Sequence, residues 1–191
     1  MIRSIPAALA LLAASLAVTT AAPAAQRAVM KTGGKAFAPP AFYDFCSAHR
    51  SLCSTGGGAR VVELTERRRA ELEKVNRSVN ARLRERSDPA GGDGADRWRL
   101  SSTEGDCEEF AILKKAELLK RGWPASALLL TVGTAWGRGH TVLTVRTSEG
   151  DLILDNYKSA IKPWSKTSYR YFARQAPGSG RKWERILGAA E

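Results

Sequence analysis

Apolar runs separated by short turn sequences predict an antiparallel sheet in the second half of the chain. Residues 127–132 (ALLLTV) form an apolar run typical of a buried central strand. Residues 141–146 alternate as a strand, and residues 152–154 run back after a Ser-Glu-Gly turn. This hairpin brings residue 155 opposite residues 140–144, and its register decides whether residues 140 and 155 share a face.

Apolar residues at helical spacing predict a long helix over residues 61–86. They recur at steps of three, four and eight residues and form one stripe, which consists of Leu64, Leu72, Val75, Val79 and Leu83. The aromatic and basic tail, from Trp164 to Trp183, is expected to pack over the sheet, with an interruption at residues 177–180 (PGSG).

A second helix is predicted to begin immediately after Asp106. Asp106 suits the N-cap, Glu109 completes a capping box, and Gly122 with Pro124 ends the helix. Cys107 then lies in the first turn, where the positive end of the helix dipole lowers the pKa of a thiol. The position predicts a nucleophilic cysteine.

The length of 191 residues predicts one compact domain, and the net charge of +11 predicts that its surface is basic. Such a charge is compatible with nucleic acid, an acidic polymer or a membrane surface. The many arginines of residues 67–86 lack the aromatic interleaving or recognition motif of a nucleic-acid-binding domain. A solvated basic surface without a nucleic-acid partner is therefore the prediction.

The first 25 residues are predicted to be a signal peptide. Arg3 precedes an apolar stretch, and residues 21–25 (AAPAA) offer small-residue cleavage sites. An uncleaved anchor is the alternative, since the uncharged residues 4–26 are almost long enough to span a bilayer. Residues 26–40 are expected to be a flexible lead-in and residues 41–191 the domain. The mature protein is expected to be periplasmic or secreted.

The chain has three cysteines, an odd number. Cys46 and Cys53 lie close together in sequence and can pair in an oxidising compartment. His49 lies inside the loop that they would close and is expected at the surface. Cys107 is then left as a reactive thiol, or alternatively as a buried and inert cysteine.

Cys107, His140 and Asp155 follow one another in the order nucleophile, base and orienting acid. A cysteine nucleophile needs an imidazole within hydrogen-bond reach and a third group to hold the imidazole tautomer. A structural histidine is the alternative reading of His140. The acidic residues of the loop at 87–96 lack EF-hand spacing, so no calcium loop is predicted there.

Residues 105–110 (GDCEEF) resemble the Gly-Asp-Cys-Glu-Asp-Tyr motif of the bacterial transglutaminase-like cysteine proteinases. These periplasmic enzymes include adhesin proteases of the LapG type. The resemblance covers about residues 42 to 187, including residues 75–80 (VNRSVN), 140–143 (HTVL) and 154–156 (LDN). Glu109 and Phe110 depart from the family's Asp and Tyr, and the connection from Trp98 to Cys107 is short.

The resemblance implies an α+β fold with a transglutaminase/papain-like core, in which the nucleophile helix packs on an antiparallel sheet. It implies a thiolate at Cys107, a general base at His140 and an orienting carboxylate at Asp155. In LapG-type members the acidic residues that flank the cysteine bind calcium, which here would be Asp106 and Glu108. No organic cofactor is implied. The cap and the calcium site are rival roles for Asp106, whereas Glu108 has no capping role.

The expected function is that of a periplasmic cysteine protease that cleaves a protein substrate through an acyl-enzyme. In the LapG type the substrate is a surface adhesin, and an inner-membrane cyclic-di-GMP receptor sequesters the protease. Two alternatives remain. A transglutaminase or amidase would use the same triad, and a non-enzymatic basic binding module would contain Cys107 as a structural residue.

Overall fold

The computed structural model describes residues 27–89 and 96–188, which form a helical layer on an antiparallel sheet. The strands are β1 (Lys31–Ala36), β2 (Arg84–Glu85), β3 (Glu104–Gly105), β4 (Leu128–Ala135), β5 (Arg138–Thr147), β6 (Gly150–Leu154), β7 (Lys162–Pro163), β8 (Arg170–Ala176) and β9 (Ser179–Leu187). The helices are α1 (Pro40–Ala48), α2 (Arg50–Cys53), α3 (Glu66–Arg82) and α4 (Cys107–Lys120). The predicted α+β class is confirmed.

Seven strands form the main sheet in the order β1-β9-β8-β4-β5-β6-β7, with every neighbouring pair antiparallel. Strand β4 is central and almost wholly buried, as its apolar sequence predicts. Leu143 of β5 lies opposite Leu154 of β6, so Asp155 lies across from Val142. Because side chains alternate along a strand, His140 and Asp155 then share one face of the sheet.

The two faces of the sheet bury different clusters. One face packs on the helices, and its main core includes Phe110 and Ile112 of α4 with Leu143 of β5. The other face carries a smaller cluster that includes Val142 and Tyr171. Within the described ranges no helix is long and apolar enough to cross a membrane. The predicted signal peptide at residues 1–25 lies outside these ranges.

The helix predicted over residues 61–86 is shorter, because both ends are fixed by other contacts. The Thr65 hydroxyl accepts a hydrogen bond from the Arg68 N–H and caps the start of α3. Before it, the Val62 N–H donates to the carbonyl of Arg146 in β5. After it, Leu83 leaves helical geometry and the chain enters β2.

Two further segments differ from the prediction because they pair with distant strands. Residues 31–36 of the expected flexible lead-in form the edge strand β1, which pairs with β9. The tail contributes strands β8 and β9 to the sheet itself, and the interruption at residues 177–180 includes the turn between them. Neither segment has strong strand periodicity of its own, so tertiary pairing decides its structure.

The predicted disulfide between Cys46 and Cys53 is present and links α1 to α2, with 5.7 Å between the two Cα atoms. The Gln175 amide donates to the Cys53 carbonyl at 3.0 Å and anchors this clamp to β8. His49 lies inside the loop, half-buried against the ring of Phe45. Cys107 is the free cysteine of the described chain.

We expect the double variant Cys46→Ala/Cys53→Ala to lose about 2 kcal/mol of unfolding free energy in urea denaturation, because the crosslink closes a short loop and restricts the unfolded chain. Treatment with dithiothreitol should destabilise the wild type to the same extent and leave the double variant unchanged. Thiol titration of the native mature chain should count one free thiol, and a count of three would contradict the disulfide.

Candidate active site

The N-terminus of α4 is fixed by the capping box that the sequence predicts. The Asp106 side chain accepts from the backbone of Glu109, and Glu109 Oε2 accepts from the Asp106 N–H at 3.0 Å. Gly105 precedes the cap at a position where a Cβ atom would lie 2.4 Å from the Glu109 Cβ. Only glycine therefore allows the Glu109 side chain to fold back, and Cys107 becomes the first helical residue.

The Cys107 thiol lies at the junction between α4 and β5. It donates to Glu108 Oε2 at 3.1 Å, and its Sγ accepts the Thr141 N–H at 3.4 Å. The Thr141 hydroxyl also donates to Glu108 Oε1 at 3.0 Å. These three hydrogen bonds join the start of the helix to the residue that follows His140.

His140 and Asp155 form a buried pair. His140 Nε2 lies 2.9 Å from Asp155 Oδ1, and the Tyr169 hydroxyl donates to Asp155 Oδ2. The Tyr157 N–H donates to Asp155 Oδ1 at 3.2 Å. Burial opposes ionisation of Asp155, but the hydrogen bonds from His140 and Tyr169 outweigh it and hold its pKa below the ordinary value. Asp155 therefore remains anionic beside the imidazole.

The Asp155 contact determines which nitrogen of His140 is available for chemistry. A carboxylate accepts hydrogen bonds, so the imidazole carries its proton on Nε2 and leaves a lone pair on Nδ1. His140 Nδ1 is buried and has no hydrogen-bond partner within the part of the chain that the structure describes. The Tyr157 ring stacks on the imidazole with 4.5 Å between centroids, which fixes the ring plane. With its lone pair on Nδ1 and its ring plane fixed, His140 is suited to act as a general base.

An acidic cleft of about 360 Å³ opens at Cys107. Its lining includes Tyr157 and Arg138. The acidic residues of its lining are Glu85, Asp88, Asp96, Asp106 and Glu108. Ligand atoms of Asp106, Cys107 and Glu108 lie within 4.8 Å of one another.

The acidic residues of the cleft shift one another's pKa. Burial, with the hydrogen bond and the charge of Asp106, raises the pKa of Glu108 to about 9. Burial and the charge of Asp106 likewise raise the pKa of Asp96. The crowding of carboxyl groups at the start of α4 thus opposes ionisation of Glu108.

Cys107 does not have the lowered pKa that its place at the helix N-terminus predicts. Burial of the thiol raises its pKa, and the charge of Glu108 raises it further. In this arrangement the thiol is protonated and directed at Glu108, not at His140.

Several residues of the site were given no role from the sequence, although Asn76 and Asn80 lie in the VNRSVN stretch of the resemblance. Asn80 of α3 donates to the Asp155 carbonyl at 2.9 Å, and Asn76 donates to the Ser159 carbonyl at 2.9 Å. Two asparagines one helical turn apart, beside an apolar stripe, were an available signal for them. Asp96 was set aside for its spacing, yet the fold brings it to the cleft. Tyr169 had no signal, because only the fold brings the residue before β8 to Asp155, which follows β6.

The comparisons with known proteins agree with the fold. The model of the family described as bacterial transglutaminase-like cysteine proteinase matches residues 32–191. Calcium-bound LapG of Legionella pneumophila is 22% identical with a TM-score of 0.53, over 81% of this chain and 84% of that one. A second LapG structure from this organism is 26% identical with a TM-score of 0.51, over 76% and 80% of the two chains.

An EGTA-treated LapG structure of Legionella pneumophila is 24% identical with a TM-score of 0.52, over 78% of this chain and 79% of that one. A comparison with curated proteins finds no match. The family match overturns the reading of the chain as a non-enzymatic binding module. Because the family model spans most of the sequence, this chain belongs to the bacterial transglutaminase-like cysteine proteinases and is a cysteine peptidase.

Proposed function

We propose that this peptidase acts in the periplasm and hydrolyses protein substrates through a triad of Cys107, His140 and Asp155. The observation that supports this most is the buried His140–Asp155 pair, whose free Nδ1 leaves the imidazole able to accept a proton. Thr141 connects this pair to the nucleophile, because it follows His140 in sequence and donates its N–H to Cys107 Sγ.

In the acylation step the Cys107 sulfur attacks the carbonyl carbon of the scissile peptide, and His140 Nδ1 accepts the thiol proton. Asp155 stabilises the resulting imidazolium through Nε2. The imidazolium then gives its proton to the leaving amine, and a thioester remains on Cys107. A water molecule, deprotonated by Nδ1, hydrolyses the thioester and restores the free thiol.

The developing oxyanion needs hydrogen-bond donors that are already in place. The N–H of Cys107 lies at the first position of α4, where a helix has no internal acceptor for it. This N–H points out of the helix end, beside the attacking sulfur. We assign it as one donor of the oxyanion hole.

The thiol must leave Glu108 before it can react, because its hydrogen bond is directed there. Rotation of the Cys107 side chain about its Cα–Cβ bond would exchange Glu108 for His140 as the proton acceptor. Any ligand that engages the Glu108 carboxylate removes that competing acceptor. The acidic cleft is therefore part of the control of the nucleophile.

The donor set of the cleft fits calcium, which we propose as its ligand. Calcium takes six to eight oxygen ligands, and carboxylates are preferred among them. Asp106 and Glu108 lie close enough to share one ion, and Asp96 lies in the same cleft. Burial and the neighbouring Asp106 raise the pKa of Glu108, so a cation at this place would favour its ionised form. A bound cation would offset the negative charge beside the thiol.

The biological context of the proposal comes from the resemblance to LapG-type proteases. We propose a surface adhesin as the substrate and an inner-membrane cyclic-di-GMP receptor as the regulator. The predicted signal peptide at residues 1–25 and the Cys46–Cys53 disulfide support a periplasmic location, because disulfides persist in oxidising compartments.

The first test is selective alkylation of Cys107 by iodoacetamide at neutral pH, followed by mass spectrometry of the mature chain. We expect His140→Ala to slow alkylation about 100-fold, because it removes the base that accepts the thiol proton. His49→Ala is the matched control, since it removes the other histidine of the chain, and should react at the wild-type rate. Equal rates in wild type and His140→Ala would refute the base.

The role of Asp155 is tested separately. We expect Asp155→Asn to lower kcat/KM for fluorescein-labelled casein by about 10³-fold or more, because an amide at this position favours the wrong imidazole tautomer. Circular dichroism should show a folded chain. Tyr169→Phe removes one hydrogen bond to the same carboxylate but keeps its charge, so its activity should lie between the two. Wild-type activity in Asp155→Asn would contradict the triad.

Calcium binding is tested by thermal unfolding and calorimetry. Calcium at a hundred times its Kd should stabilise the wild type by about 2.7 kcal/mol, and EGTA should reverse the shift. Glu108→Gln should lose most of it, because the variant lacks a ligand charge. Glu117→Gln, near the other end of α4, is the control and should respond as wild type does. A shift retained in Glu108→Gln would exclude this site.

A further inference from the structure

Trp136 occupies a place in the fold that stability does not explain. Ala135 pairs with Arg138, so Trp136 and Gly137 are the two central residues of the β4–β5 hairpin turn. Both have positive φ, 49° and 78°. Turns of this kind favour Asn-Gly or Gly-Gly, because a side chain in the left-handed region is strained. Trp136 is nevertheless 66% exposed, so little burial compensates the strain.

The exposed ring of Trp136 is continuous with the catalytic imidazole. Its centroid lies 5.2 Å from that of Tyr157, and Tyr157 stacks on His140 at 4.5 Å. Tyr157 also lines the cleft at Cys107. Trp136 and Tyr157, which we call the aromatic shelf, therefore extend from the active site to the tip of the hairpin.

Beside Cys107 the cleft is acidic, with Asp106 and Glu108 in its lining. Trp136 lies outside that lining, and its ring contacts Tyr157 and Tyr169. A peptide bound in the cleft would meet charged groups next to Cys107 and the exposed ring of Trp136 beyond Tyr157. Strained and largely exposed residues are typical of functional sites, and aromatic rings dominate the binding energy of many interfaces.

We propose that the aromatic shelf is a specificity subsite that binds an apolar side chain of the extended polypeptide substrate, at one fixed position near the scissile bond. This inference rests on the proposed protease function. The ring of Trp136 packs on the side chain of the substrate. Because Tyr157 contacts both Trp136 and His140, the bound side chain lies at a fixed position relative to the imidazole. The strain at the turn persists because the ring is needed there.

Trp136→Gly separates binding from folding. Glycine accepts positive φ without strain, so removal of the ring should raise the melting temperature by about 3 °C. The same variant should lose substrate selectivity. A residue that served only the fold would show the opposite result, a lower melting temperature and an equal loss of cleavage for all sequences. Phe37→Ala is the control, because Phe37 is 94% exposed just beyond the edge strand β1.

The measurement is the cleavage of a proteome-derived peptide library, with products sequenced by mass spectrometry. Wild type and Phe37→Ala should both cleave beside an apolar residue at one fixed position. Trp136→Gly should reduce that enrichment about tenfold, mainly through a higher KM for the preferred peptides. An unchanged profile in Trp136→Gly, or no apolar preference in wild type, overturns the shelf while the protease stands. No cleavage of the library by wild type overturns both proposals.

Discussion

The docking of the α4 N-terminus on the start of β5 is the constraint on which the site depends. Thr141 donates its N–H to Cys107 Sγ and its hydroxyl to Glu108, so one residue of the strand holds two residues of the helix. The proposed nucleophile, Cys107, belongs to the helix and the proposed base, His140, to the strand. Their relation is therefore set by how these elements pack, and rigid elements hold such geometry better than loops do.

The same junction brings together charges that oppose activation of the thiol. A helix N-terminus favours nearby anions, which explains why Asp106 and Glu108 are tolerated there. Burial with the neighbouring Asp106, however, raises the pKa of Glu108, and burial with the charge of Glu108 raises the pKa of Cys107. Desolvation is the largest of the effects on the pKa of Cys107. A site of this kind responds strongly to whatever neutralises its carboxylates.

The elements with strong local signals were predicted well, and those that depend on distant partners were not. Strands β4 to β6 follow from apolar runs and turn residues, and α4 follows from its caps. The apolar stripe of α3 continues past both helix ends, because Leu64 and Leu83 are buried without being helical. Periodicity alone therefore made the helix too long. Strand β1 exists because β9 pairs with it, and no local pattern reports that.

In the candidate site, too, features with a local sequence signal were predicted, and features that depend on distant contacts were not. Order and spacing identified Cys107, His140 and Asp155, and the hairpin register explains why the last two meet. Sequence could not show that the thiol is directed at Glu108, because that depends on the position of Thr141 in space. Nor could it show the contact of Tyr169 with Asp155, which requires β8 to lie in the sheet.

Tertiary packing, not the intrinsic preference of its sequence, holds the nucleophile helix in place. Lys114 and Lys115 are fully buried on α4, and burial lowers the pKa of each to about 7. Lys115 donates to Gln175 Oε1 at 3.0 Å, and the Leu130 N–H donates to the same oxygen. A buried amine is costly in any position, so α4 stays there because the core around Phe110 and Ile112 outweighs that cost. The orientation of Cys107 is thus set by the whole core beneath the helix, and a core substitution far from the cleft would reach the nucleophile through it.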